Sequence, residues 1–221
     1  MARKIGFGLI WLGFSFYAFV LAPPDQGNSL ELIQQLATMN WEGINPFVIA
    51  LFNLMGIWPM IYGSVLLADG CEQKISAWPF ASLSFAFGAF ALLPYLALRQ
   101  SPQPELAGES SRNLKFWDSR GLGLGLLVGG VVLIAFGLSQ GDWANFVQLW
   151  QTSRFIHVMS LDFCMLSLVF PAILIADANR RGLSIQSPLF WGAVLVPFLG
   201  PLVYLCLRPS LYANALQTTE G

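Results

Sequence analysis

The chain has 221 residues, of which 56% are hydrophobic and only 10% are charged, and its formal net charge is −1. Soluble domains carry about a quarter charged residues, and nucleic-acid-binding proteins carry a basic field. The composition therefore excludes a soluble domain and a nucleic-acid-binding protein. It indicates an integral membrane protein that is surrounded by membrane lipid.

The amino-terminal apolar run, residues 5–22, follows Arg3 and Lys4 in the manner of a secretory signal. It is longer than the apolar region of such signals, and cleavage after Ala22 would leave Pro23 as the new terminus. We therefore interpret it as a retained membrane anchor.

Further along the chain, five more apolar stretches are long enough to cross a hydrocarbon core of about 30 Å as helices. Asp162 is the one charged residue inside any of the six. The predicted spans are residues 5–22, 45–68, 77–98, 121–138, 155–176 and 188–207.

Two connecting segments have the pattern of short helices that lie on the membrane surface. In the second, Asp142 is a predicted N-cap, and Trp143, Phe146 and Trp150 follow on one face. The segment 28–38 shows a weaker version of the same pattern. The simplest interpretation is that both shield the rim of a helical bundle.

The two halves of the chain, residues 1–99 and 121–221, repeat the same order of features around a polar linker at 100–120. Equivalent positions lie 108 or 109 residues apart, as for Asp69 and Asp177 or Arg99 and Arg208. Three spans per half is an odd number, so the halves should be inverted relative to each other. The predicted fold is an all-α polytopic bundle of about six transmembrane helices, arranged as a 3+3 inverted repeat. Such a duplication builds transporters, and it also builds scaffolds that transport nothing.

This six-span arrangement leaves the membrane orientation open, because it places five basic residues on the amino-terminal side and six on the other. Asp69 lies at a predicted helix end beside Lys74, and Asp177 lies at another beside Arg180 and Arg181; ordinary turn ion pairs explain both.

Asp162 and Asn53 are the first candidates for a site, because intramembrane polar groups are energetically costly. They occupy nearly equivalent positions in the two halves. One hypothesis is that they meet between the halves and hydrogen-bond or bind a small polar substrate; the alternative is that they join helices as structural polar contacts.

His157, the single histidine, is a candidate axial ligand for the magnesium of a chlorophyll. The alternative is a hydrogen-bonded anchor near the membrane interface. The three cysteines are too far apart for a metal site. Gly125 and Gly129 form a GxxxG pattern, which permits close helix contact. The sequence carries no GxSxG, HExxH, P-loop or dinucleotide-binding motif, so we expect no enzyme activity.

Two stretches resemble an uncharacterised family of multi-pass membrane proteins of cyanobacteria and plastids. The first is Asn53-Leu54-Met55-Gly56-Ile57-Trp58-Pro59 with Trp78-Pro79-Phe80, and the second is Ser153-Arg154-Phe155-Ile156-His157-Val158 with Leu161-Asp162-Phe163. The resemblance implies a thylakoid or plasma membrane of a photosynthetic organism and a role in building or supporting photosynthetic complexes. It supplies no catalytic residues.

Three functions follow from these observations. The favoured one is a non-enzymatic membrane scaffold or assembly factor that docks to other integral membrane proteins, with chlorophyll or lipid as a bound cofactor. The alternative is a small-solute or ion carrier with Asn53 and Asp162 at its site. A lipid-modifying enzyme is disfavoured, because the sequence lacks a cluster of acidic or histidine residues.

Overall fold

The computed structural model describes residues 2–25, 27–70, 75–99 and 112–211, and all regular elements in these ranges are helical. The first helix continues into a π-helical turn at Tyr17–Leu21. The helices are α1 (Ala2–Phe16), α2 (Ser29–Ala37), α3 (Pro46–Gly70), α4 (Trp78–Leu98), α5 (Arg112–Trp117), α6 (Arg120–Gln140), α7 (Trp143–Thr152), α8 (Arg154–Val169), α9 (Pro171–Arg180), α10 (Pro188–Leu195) and α11 (Leu199–Leu207).

Five helical stretches are long and apolar enough to cross a membrane, which agrees with an integral membrane protein. The last of them is formed by α8 and α9 together. The stretches are Arg3–Leu21, Pro46–Leu66, Trp78–Leu98, Arg120–Gln140 and Arg154–Arg180.

Although α4 is long enough to cross, its path folds back on itself. The backbone leaves the helical conformation at Gly88, where φ is 48° and ψ is −126°. The rings of Phe80 and Tyr95 then lie 5.3 Å apart, whereas fifteen residues of continuous helix extend about 22 Å. The guanidinium of Arg3 donates to the carbonyl of Arg99, so α4 ends where α1 begins. α4 is therefore a hairpin in the structure, which does not confirm the predicted third crossing.

The predicted sixth span, 188–207, is a second hairpin, made of α10 and α11. Its turn has Phe198 at φ 62° and ψ −60°, and the amide of Leu199 donates to the carbonyl of Pro197 over 2.7 Å, which closes a γ-turn. A Cβ on Gly200 would lie 3.0 Å from the Cα of Ala193, so the two arms are in contact. At eight and nine residues, neither arm can span the hydrocarbon core.

Both hairpins enter from the same end of the bundle, which we call the basic end and define by Arg3, Arg99, Arg181 and Arg208. Arg181 donates to the carbonyl of Pro209 over 2.6 Å, which brings the end of α11 back to the turn before α10. Arg208 donates to the carbonyls of Ser64 and Trp117, and so joins α11 to α3 and α5 at this end. The opposite end, defined by α2 and α7, holds the two short amphipathic helices.

Of the five candidate stretches, α1, α3, α6 and the α8–α9 pair run from one end of the bundle to the other. The described part of each half therefore contains two end-to-end helices and one hairpin. The inverted relation between the halves is not confirmed, because the third element of each half returns to the end from which it entered.

The core lies between α3 and the second hairpin, around Trp58, whose side chain is fully buried. Its ring packs on those of Phe198, Tyr62, Phe163 and Phe170 at centroid distances of 5.6, 5.8, 6.0 and 6.1 Å. Such tilted and edge-on contacts suit the charge distribution of aromatic rings. The cluster holds the strained turn at Phe198 in place.

Candidate functional site

The break in α4 lies against the carboxylate of Asp162, which α8 carries in its third turn. Asp162 is 5% exposed, and its Oδ1 accepts the backbone N–H of Ala89 over 2.8 Å. The break deprives this N–H of its intrahelical carbonyl, and an unpaired donor in hydrocarbon is energetically costly. Asp162 therefore serves as a cap that α8 provides for the second arm of α4.

The same geometry explains why the turn contains glycine. Gly88 has a positive φ, and a Cβ placed on it would overlap Oδ2 of Asp162 and lie 2.6 Å from its Cγ. A residue with a side chain would therefore meet both backbone strain and a steric clash. The negative charge of Asp162 faces the amino-terminal end of a half-helix, where the helix dipole favours an anion.

Asn53, the predicted partner of Asp162, has a different hydrogen bond. Its Nδ2 donates to the carbonyl of Ile49 over 2.8 Å, one turn earlier in α3. Among the described residues, no hydrogen bond joins Asn53 to Asp162. The structure therefore gives each of the two polar groups its own backbone partner.

His157 is buried, at 5% exposure, and both of its ring nitrogens are engaged. Nδ1 lies 2.9 Å from the carbonyl of Trp150, and Nε2 lies 2.8 Å from the hydroxyl of Tyr17. A carbonyl can only accept, so Nδ1 carries the proton of the neutral ring and Nε2 accepts from Tyr17. The ring also stacks on Trp150 at a centroid distance of 4.4 Å. In this arrangement His157 presents no ring nitrogen to the magnesium of a chlorophyll.

A buried ion-pair network lies at the basic end, and the sequence analysis predicted only the part of it that joins Asp177 to a neighbouring arginine. Oδ2 of Asp177 lies 2.8 Å from Nε of Arg181 and 3.3 Å from a guanidinium nitrogen of Arg208, and it accepts from the hydroxyl of Tyr204 over 2.8 Å. Asp118 lies 2.6 Å from the other side of Arg181. All five side chains are at most 8% exposed.

The predicted ion pair of Asp177 with Arg181 is present, but it is buried and belongs to a larger network rather than to an ordinary turn. Two carboxylates and two guanidinium groups balance in charge, and they connect the ends of α5, α9 and α11. The contribution of Asp118 was not visible, because it lies in the polar linker. Asp69 occupies the equivalent position in the first half, and its side chain lies outside the described residues.

No protein-family model, curated protein or solved structure matches this chain.

Proposed function

We propose that this protein is a non-enzymatic integral membrane scaffold or assembly factor built from two tandem repeats of the same orientation. Each repeat comprises an outer crossing helix, a surface helix, an inner crossing and a re-entrant hairpin. The proposal rests on one observation: the polar groups inside the bundle are satisfied by the chain itself, whereas the apolar faces of its outer helices are exposed. The buried polar groups Asp162, Asn53 and His157 bond within the chain, and the outer helices offer open apolar faces.

The outer helices are α1 and α6, which occupy equivalent places in the two repeats. Only 11% of the α1 span and 17% of the α6 span are buried, against 61% of α3. Leu9 on α1 is 64% exposed, and Phe19 on the π-helical turn that continues it is 73% exposed. On α6, Val132 is 59% exposed. These faces meet lipid or the helices of other membrane proteins.

The face of α6 also carries a row of small residues that supports docking by another helix. Gly121, Gly125 and Gly129 are spaced four apart, and an added Cβ at any of them would meet nothing within 4 Å. Gly123 and Gly130 instead face α11 and the second hairpin. Small residues at this spacing let the backbones of two membrane helices approach closely.

The test is to extract the tagged full chain from its native membrane in mild detergent and to identify its companions by mass spectrometry. We expect stoichiometric integral membrane proteins with the wild type and their loss with Gly125→Ile. Gly8→Ile, at an equally open glycine on α1, is the matched control and should retain them. Recovery without companions, or companions that Gly125→Ile leaves in place, would contradict docking through α6.

A visible absorption spectrum of the same sample tests for chlorophyll. The resemblance noted above supports a photosynthetic membrane, with photosynthetic complexes as the companions. His157 is engaged on both ring nitrogens, so a pigment held by it requires the Tyr17 hydroxyl to leave Nε2. A colourless sample that still contains stoichiometric companions supports the scaffold without a pigment.

The corrected path of the chain also supports a membrane orientation. Of the ten basic residues that the structure describes, Arg154 alone lies at the opposite end. The other nine, on elements at the basic end, are Arg3, Lys4, Arg99, Arg112, Lys115, Arg120, Arg180, Arg181 and Arg208. By the positive-inside rule, this distribution supports a basic end on the cytoplasmic or stromal side. In a background whose native cysteines are replaced by alanine, an impermeant thiol reagent applied from the opposite side should label Met39→Cys and leave Ile75→Cys unlabelled. The reverse pattern would overturn this orientation.

The second candidate is a small-solute or ion carrier, and the position of Asp162 favours it. Transporters build their binding sites at breaks in discontinuous membrane helices, and Asp162 lies at such a break in α4. Asp162→Asn removes the charge and keeps an oxygen for the Ala89 amide. Loss of uptake in vesicles with this variant would support a carrier, whereas unchanged companions and no uptake with either form support the scaffold.

A further inference from the structure

A cavity of about 370 Å³ lies at the opposite end of the bundle, where the two repeats meet. α2 and its N-cap present one face to it, with Asn28, Glu31, Leu32 and Gln35 spaced as neighbours on a helix. The other walls come from the segment before α3, the first turn of α3, and α7 and α8. Its volume lies within the range of small-molecule sites.

The lining combines an apolar base with two carboxylates. Val48 and Ile156 at the base are buried, and Leu149 on α7 is half-buried. Glu31 and Glu42 are exposed at the cavity, and neither has a hydrogen bond or an ion pair with another described residue. The cavity therefore carries negative charge that its own walls leave uncompensated.

The other charged groups at this end are already engaged. Arg154 donates through Nε to the carbonyl of Pro23 over 2.9 Å. Asp142 caps α7 by accepting from the amide of Asn145. Asp25 accepts from the hydroxyl of Ser29 and the amide of Gly27, and these bonds lower its pKa below the ordinary value. Glu31 and Glu42 are thus the carboxylates that remain for a ligand.

The chemistry of the lining selects an organic cation over a metal ion. Among the residues that the structure describes, no group of three or more histidine, cysteine, aspartate or glutamate side chains is placed to hold a metal. Calcium ions take about six to eight oxygen ligands, with carboxylates prominent among them, and this cavity supplies two exposed carboxylates. An ammonium ion with hydrocarbon substituents instead uses the carboxylates for its charge and the apolar base for its methyl or methylene groups.

We propose that this cavity binds an organic ammonium ion, with Glu31 and Glu42 facing the charge and Val48, Leu149 and Ile156 facing the hydrocarbon part. The ion is supplied by a soluble amine or by the ammonium headgroup of a membrane lipid. The site is separate from the apolar face of α6. Failure of this proposal would therefore leave the proposed scaffold function untouched, and the reverse also holds.

The experiment is isothermal titration calorimetry on the purified full chain in a neutral maltoside detergent. The probes are choline, butyltrimethylammonium, lysophosphatidylcholine and the uncharged choline analogue 3,3-dimethylbutan-1-ol. We expect saturable binding of the ammonium compounds that salt weakens, and no binding of the alcohol. Tighter binding of lysophosphatidylcholine than of choline identifies a lipid headgroup as the source, and the opposite order identifies a soluble amine.

Substitutions of the two glutamates test whether the ammonium compounds bind in this cavity. Glu31→Gln and Glu42→Gln each should weaken binding by about threefold or more, as expected for the loss of one partly solvated charge contact. Asp25→Asn is the matched control, because it removes a carboxylate at the same end that does not line the cavity, and it should leave affinity unchanged. The proposal is overturned if no ammonium probe binds at millimolar concentration, if the alcohol binds equally well, or if neither glutamine variant weakens binding.

Discussion

Gly88 of the first hairpin and Asp162 of α8 form one structural unit, although 74 residues of chain separate them. Gly88 supplies a backbone conformation that side chains resist, and Asp162 accepts the N–H that this conformation exposes at Ala89. Since the two residues belong to different repeats, this contact also joins the halves of the bundle. The following predictions test the unit and the elements around it.

Replacing Gly88 by alanine should destabilise the protein by more than about 3 kcal/mol, because the strained φ and the overlap with Asp162 act together. Thermal unfolding in detergent measures the effect. Gly56→Ala in α3 is the control, since an added Cβ there meets nothing within 4 Å. An equal response of the two variants would show that the turn at Gly88 is not constrained in this way.

Asp162→Leu should lower the free energy of unfolding by about 1–3 kcal/mol, since the buried Ala89 amide loses its acceptor. Asp162→Asn keeps an acceptor oxygen and should therefore lower the free energy of unfolding by less than Asp162→Leu does. The same unfolding measurement ranks the two variants, and a larger loss with asparagine than with leucine would contradict a capping role.

Asp177→Ala should destabilise the protein by about 3–5 kcal/mol, because Arg181 and Arg208 would keep buried charges without their shared carboxylate. Arg120→Gln removes an exposed charge at the same end and should change stability by no more than about 0.5 kcal/mol. Similar stabilities for both variants would indicate that water readily enters the network.

The hairpin path of α4 makes a topological prediction. In a background whose native cysteines are replaced by alanine, Ile75→Cys lies just before this helix and Leu98→Cys lies at its last residue, and both positions are exposed. We expect both to react from the same side of sealed vesicles with an impermeant maleimide, because α4 enters and leaves at the basic end. Met39→Cys should react from the other side. Labelling of Ile75→Cys and Leu98→Cys from opposite sides would show that α4 crosses.

Tyr17→Phe should destabilise the protein by about 1 kcal/mol, because the buried Nε2 of His157 loses its donor. His157→Phe removes the acceptor as well as the Trp150 contact, and in the double variant the two effects should not add. Unfolding of the single and double variants gives this coupling directly. Additive losses would mean that Tyr17 and His157 do not interact in solution.

The amino-acid sequence by itself determined the class of the protein and most of its local structure. Long apolar runs with scarce charge require helices in a membrane, since only helices satisfy the backbone within one segment. The short amphipathic helix was predicted with its cap, and Asp142 accepts from the Asn145 amide over 3.0 Å as expected. Asp162 was singled out correctly as a costly buried charge, because composition alone reveals one carboxylate in a hydrocarbon-length run.

The tertiary structure alone decided the path of the chain through the bundle. A re-entrant hairpin and a crossing helix have the same apolar composition, so hydropathy cannot distinguish residues 77–98 and 188–207 from true spans. What permits the breaks is distant in sequence: Asp162 satisfies the amide at the first, and Trp58 packs on Phe198 at the second. These contacts form only in the folded chain, so hydropathy could not predict the hairpins. The relation between the repeats and the gathering of basic residues at one end both depend on those hairpins.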